Sequence, residues 1–178
     1  MLLSYERLVK LVEQGVINAS IENINGASID ITLDKKIRVE KLSHGVVDLA
    51  AKESINTVEV EMDEHGFLLH VNEFILASSK EVFNLPDNIA AEYKLKSTLA
   101  RNGLEHANAG FADPHWHGSK LTLELKNVTQ YHTLLLREGM KIGQILFFEV
   151  DPVPAEHGYA VKGQYNNQTG VTPSKGLR

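Results

Sequence analysis

Residues 120–125 read Lys-Leu-Thr-Leu-Glu-Leu, a strict alternation of polar and apolar side chains. In an extended chain successive side chains leave opposite faces, so Leu121, Leu123 and Leu125 share one face, and Lys120, Thr122, Glu124 and Lys126 share the other. The leucine face belongs in a core, and the opposite face meets solvent or a subunit boundary. Working outward, similar short runs occupy 28–33, 37–39, 57–62, 67–71, 74–78, 132–136 and 144–150, with turn signals such as His65-Gly66, Pro86-Asp87 and Glu138-Gly139 between them. Ser4 is placed to cap one short N-terminal helix with Leu8, Leu11 and Val12 on a single face, ending at Gly15. Many short strands with few helices predict a mainly β fold, a distorted β-barrel or sandwich.

The 178 residues suit a single domain, 1–178, long enough to bury a sizeable core, with no repeat, linker or break in composition. Residues 163–178 are polar and rich in Gly, Asn, Gln and Thr, a composition that by itself reads as disordered. There is no secretory leader pattern and no long apolar run, so a cytoplasmic protein without a membrane span is expected. With 23 acidic against 18 basic residues and a net charge of −5, the chain lacks the basic face that a nucleic-acid polymer requires. The absence of cysteine rules out disulfides and any Cys-containing zinc centre.

Upstream of the alternating run, Lys96 to Arg101 read KSTLAR. Ser97 and Thr98 follow a strand-like stretch and read as the N-cap and first turn of a short helix. Exposed amides there, with Lys96 and Arg101 beside them, would form a phosphate cradle without a glycine-rich loop. An ordinary capped helix explains these six residues equally well, and a strand glutamate such as Glu124 is most often a solvated side chain. A functional Glu124 therefore needs a partner such as Arg101; across an interface it would acquire the raised pKa that a proton shuttle requires. His115 and His117 flank Trp116, but no third ligand follows at a suitable spacing. They read as loop residues beside an anchoring aromatic, and no protein metal site is expected.

In the same order along nearly the whole chain, GASIDITL (26–33), KSTLARNGL (96–104), AGFADPHW (109–116), LTLELKN (121–127), REGMKIGQILFFEV (137–150) and QYNNQTGVTPSKG (164–176) resemble the motifs of the dCTP deaminase branch of the dUTPase-like superfamily. The resemblance implies a dUTPase-like fold and zinc-independent hydrolytic deamination of dCTP to dUTP and ammonia. By position it implies that Glu124 relays protons, that Ser97 and Arg101 place the water and orient the glutamate, and that the Ala109 carbonyl is a further water acceptor. Lys96, Ser97, Thr98, Leu99, Ala100 and Arg101 would hold the triphosphate, and Asp113 the deoxyribose, with Thr122 and Leu123 beside the base. Gln144, Tyr159 and Gln168 complete the nucleotide contacts, the last two from a C-terminal segment that closes over the site, with 163–178 as its lid. The resemblance further implies a homotrimer with sites between subunits, Mg2+ carried mainly by the phosphates, and dTTP as a candidate inhibitor. Asp30 would assist the metal only from outside its first shell.

Three positions depart from the family pattern. His115 stands where a glycine usually follows Asp-Pro, one residue is missing between Leu104 and His106, and Gln164 replaces a lysine for which Lys162 is the nearest substitute. Ala109-Gly110-Phe111 and Gly143-Gln144 lean toward members that also cleave the triphosphate and release dUMP and diphosphate, with Asp113 as candidate base at the α-phosphate. Release of dUTP remains the main expectation. The alternatives are this dUMP-forming reaction, a dUTPase that never deaminates, and a nucleotide-binding regulator without catalysis.

Overall fold

The computed structural model describes residues 1–43 and 45–176. The chain opens with α1 (Tyr5–Glu13), whose Leu8 and Leu11 are buried. Ser4 occupies the N-cap position without a side-chain cap bond. At the other end Gly15 takes a left-handed φ of 73°. Its N–H bonds Val12 O at 3.0 Å and that of Val16 bonds Leu11 O at 2.9 Å, the paired closure that stops a helix at glycine.

Among the described residues eleven strands follow: β1 (Ile29–Thr32), β2 (Lys36–Glu40), β3 (Thr57–Glu61), β4 (Phe67–Leu69), β5 (Phe74–Asn84), β6 (Ile89–Leu95), β7 (Leu104–His106), β8 (Phe111–Ala112), β9 (His117–Asn127), β10 (Leu134–Leu136) and β11 (Lys141–Glu149). They form a four-stranded sheet in the order β1-β11-β6-β8, a five-stranded sheet β3-β2-β5-β9-β7 and a two-stranded β10-β4 pair, all antiparallel. This is the expected mainly β architecture with a short N-terminal helix. The other α-helices of the described residues are single turns, α2 (Ser97–Ala100) and α3 (Tyr159–Lys162).

The core collects one side-chain row from each strand. On β9 Leu121, Leu123 and Leu125 are buried, as the alternation requires, and pack with Ile75 and Ala77 of β5 and Ile145 and Phe147 of β11. Burying each such leucine is worth roughly 1.5–3 kcal/mol. β5 runs further than residues 74–78 because its register with β9 slips between Ser78 and Val82. Within the slip the buried Glu81 accepts from Thr32 N (3.0 Å) and Thr32 Oγ1 (2.7 Å), tying β5 to β1 of the other sheet.

The tail differs from its composition. Residues 165–172 lie along β9: Lys120 N bonds Gln168 O at 2.8 Å, Asn167 N bonds His117 O at 3.1 Å, and the Gln168 side chain donates to Lys120 O at 2.7 Å. Backbone pairing and the burial of Val171 supply what a polar sequence alone does not suggest. The expected lid residues 177 and 178 fall outside the described residues.

Candidate functional site

Glu124 stands on the polar row of β9 with its side chain one-quarter exposed, opposite Leu76 of β5. It lines a cavity of about 430 Å³ together with Thr122, Ala109, Ala112, Tyr159 and Gln168. Phe111, Trp116, Tyr165 and Thr172 add to the walls, so the tail closes one side. Trp116 is held there by its indole N–H, which donates to Tyr165 O at 2.9 Å, and by stacking on Phe83 at 5.3 Å. The chamber is mostly apolar and has a single carboxylate in its wall, a setting that keeps bulk water from a flat heterocycle.

Behind Glu124 lies a buried polar cluster. His106, at the end of β7, approaches Glu124 Oε2 through Nε2 at 3.3 Å without the alignment of a hydrogen bond. Its Nδ1 accepts the Asn108 N–H at 3.1 Å, so in the neutral ring the proton resides on Nε2, facing the carboxylate. The Tyr93 ring stands edge-on to His106 at 4.8 Å. Burial, reinforced by the charge of Glu124, raises the Tyr93 hydroxyl well above the ordinary phenol range, so it stays protonated. Tyr93 Oη, His106 Nε2 and Glu124 Oε2 are all buried without a hydrogen-bond partner among the described residues.

The loop that carries Ala109 is built around Asn108, which adopts a left-handed φ of 59°. This accommodates the missing residue, and β7 keeps its register, His106 opposite Leu125. His115 takes the left-handed conformation itself, φ 68°, and its Nε2 bonds Val153 O at 2.9 Å. It is a strut of the Asp113 turn, with its ring set directly against Gly158.

A second group lies apart from the cavity. The N-cap of α2 is Lys96, not Ser97, and no side chain caps the helix, so the Ser97 hydroxyl is not consumed by a cap. Serine at the first helical position needs no cap bond once an extended Lys96, ψ 130°, has turned the chain. The buried Asp30 of β1 receives Lys96 Nζ (2.7 Å) and Asn25 Nδ2 (2.9 Å) on Oδ1, and Lys141 Nζ (3.0 Å) on Oδ2. Burial works to raise the Asp30 carboxyl, but the bonds from Lys96, Lys141 and Asn25 outweigh it and hold the group below its ordinary value. Nearby, Ser28 Oγ donates to Gln144 Oε1 at 3.1 Å.

The residues singled out from the sequence therefore fall into two separate groups on the chain. Among the described residues Lys96, Ser97, Thr98, Arg101 and Gln144 do not line the Glu124 cavity, whereas Ala109, Thr122, Tyr159 and Gln168 do. Asp113 is exposed next to the cavity wall residue Ala112. Leu123 is wholly buried in the core, leaving only its backbone for a ligand. Gln164 Nε2 reaches Gly176 O at 3.3 Å, and Lys162 Nζ lies 3.0 Å from His157 Nδ1. Sequence reasoning missed His106, Tyr93 and Lys141. The alternation of Leu104 and His106 around an exposed Glu105 was the available signal for the first. Among the described residues no three His, Asp or Glu side chains gather as a metal centre, and no helix is long and apolar enough to cross a membrane.

The dCTP deaminase-like family model matches residues 2–150. A protein named "dCTP deaminase, dUMP-forming" from a Nocardioides species is 46% identical over 156 residues, covering 84% of this chain and 80% of the relative. Its namesake from Corynebacterium glutamicum is 40% identical over 185 aligned positions, covering 98% and 96%. The crystal structure of 2'-deoxycytidine 5'-triphosphate deaminase from Agrobacterium tumefaciens superposes with a TM-score of 0.64 at 18% identity over 82% of this chain, which spans 47% of that protein; the likeness is one of fold. The relatives correct the main expectation about product. They are named for forming dUMP, which overturns dUTP as the released nucleotide. Deamination changes only the base, so motifs that point to deamination do not by themselves fix what becomes of the triphosphate. From the family model and these identities, the chain belongs to the dCTP deaminase-like family, a family of hydrolases.

Proposed function

We propose that this protein converts dCTP and two waters to dUMP, ammonia and diphosphate, in a site shared between subunits of a homotrimer. One observation carries the reading: Glu124 stands half-buried in an apolar chamber with His106 behind it, while Ser97, Arg101 and Lys96 lie outside that chamber on the same chain. A neighbouring copy that presents its Ser97 and Arg101 to Glu124 completes the constellation.

In this reading Glu124 takes a proton from water as the oxygen adds to C4 of cytosine, and passes that proton to N3. It then moves the proton of the new C4 hydroxyl to the amino group, the C4–N bond breaks, and ammonia leaves a uracil carbonyl. Ser97, Arg101 and the Ala109 carbonyl hold the water in line. A second water attacks the α-phosphorus, with Asp113 the candidate base, and the bridging oxygen departs with diphosphate. Mg2+ would arrive on the phosphates and offset their charge. Asp30, both of whose oxygens already accept from lysines, would assist the ion only from outside its first shell. Residues 163–178 act as the lid, and the cell compartment proposed is the cytoplasm.

The test is product analysis of purified protein with dCTP and Mg2+, following nucleotides by chromatography and ammonia in parallel. Equal amounts of ammonia, dUMP and diphosphate are expected. Ammonia with accumulating dUTP would reject the coupled reaction, and no ammonia would reject deamination.

A further inference from the structure

Asp30 is 5% exposed at its side chain and receives two ammonium groups from different elements, Lys96 just after β6 and Lys141 opening β11. A strut between strands requires one such pair. One carboxylate balances one of these charges, so the second persists, in a chain whose net charge is −5. Neither lysine is sealed in: Lys96 is 31% and Lys141 48% exposed. The two are neighbours by backbone as well, since Lys96 N–H bonds Ile142 O at 3.3 Å. An ammonium fixed on its inner side and open on its outer side suits a doubly charged oxyanion, because its position is set before the ligand arrives.

We propose that Lys141 is a phosphate-binding residue, paired with Lys96 across Asp30 so that the two ammoniums together seat the phosphate chain of the nucleotide. The proposal deepens the nucleoside-triphosphate reading above and rests on it for the identity of the ligand. The binding it requires is nevertheless of phosphate alone and can be measured without turnover.

The experiment is titration calorimetry with inorganic tripolyphosphate on wild type, Lys141→Gln and Lys141→Arg, beside steady-state kinetics with dCTP. Loss of one charged contact should weaken tripolyphosphate binding by about tenfold in Lys141→Gln, and Lys141→Arg should recover it to within about threefold of wild type. KM for dCTP should rise by the same factor in Lys141→Gln while kcat holds. Affinity of Lys141→Gln within about twofold of wild type, or no tripolyphosphate binding by the wild type, would overturn the proposal. If wild type binds tripolyphosphate through Lys141 yet releases no ammonia from dCTP, the phosphate seat stands and the deaminase reading fails. Ammonia release with Lys141-independent binding is the reverse.

Discussion

Nε2 of His106 stands 3.3 Å from Oε2 of Glu124, and the backbone N–H of Asn108 occupies the other ring nitrogen. The histidine is 3% exposed at its side chain, so its proton has few other places to point. In the reading proposed above, His106 is a positioning residue that acts on the reaction only through the neighbouring Glu124 carboxylate. His106→Leu, which keeps bulk and burial, should lower kcat by about ten- to a hundredfold with a much smaller change in dCTP affinity. His106→Gln, which can still donate, should recover part of the loss. Equal kcat in wild type and His106→Leu would remove His106 from the mechanism.

Glu124→Gln changes little volume but cannot accept a proton. Calorimetry should show dCTP still bound, and ammonia release should fall by at least about a thousandfold. A variant that still turns over would sink the assignment of the proton relay.

Gly143 lies under the Tyr93 ring, where an added Cβ would come within 2.1 Å of Cε2. Because Tyr93 stands edge-on against His106, Gly143→Ala should disturb the face around Glu124 as well as the core. Overpacking should reduce stability by about 1–3 kcal/mol in chemical denaturation, with kcat reduced. Tyr93→Phe, by contrast, removes a buried hydroxyl that has no partner among the described residues, and stability should stay level or rise.

Trp116 is the single tryptophan of the chain and gives its N–H to Tyr165 O. Deleting the chain after Gly163 should leave the β fold intact by circular dichroism, shift Trp116 emission to the red and weaken nucleotide retention. Unchanged emission and unchanged kinetics would show that the tail neither covers the cavity nor acts as a lid.

The folded-state pKa of Asp30 lies below its ordinary value. Its ion pairs therefore contribute stability that is complete above the unfolded-state carboxylate pKa and is lost as pH falls through the folded-state pKa. Asp30→Asn should cost about 2 kcal/mol near neutrality, less than a fully buried pair because both lysines can turn to water. The gap between variant and wild-type melting temperatures should narrow as the solution is acidified below the ordinary carboxylate range; a gap independent of pH would contradict the ion-pair account.

The facing of Glu124 was legible because β9 is half-buried and its alternation is strict. The burial of Leu8 and Leu11, and the stop at Gly15, followed from helical spacing and a left-handed glycine in the same way. β8 was not legible, since two residues between Gly110 and Asp113 carry no periodicity; they pair with Ala91 and Glu92 of β6, beside the bond from Tyr93 N–H to Gly110 O at 2.8 Å. Lys141 was hidden for a different reason: its carboxylate partner is more than a hundred residues away in the chain, and only strand pairing brings Thr32 of β1 opposite it. The ordered tail depended on backbone bonds to β9, which composition does not encode.

His115 adopts a conformation that most side chains avoid, and its imidazole holds Val153 O while its ring fills the space a Cβ on Gly158 would need. The next residue, Tyr159, donates its N–H to Pro114 O at 3.0 Å. Asp113 and Tyr159, assigned here to sugar and nucleotide contacts, are therefore parts of one rigid corner. Under the assignments proposed above, a substitution that shifts either residue is expected to carry the other with it, coupling the proposed sugar contact to the proposed lid.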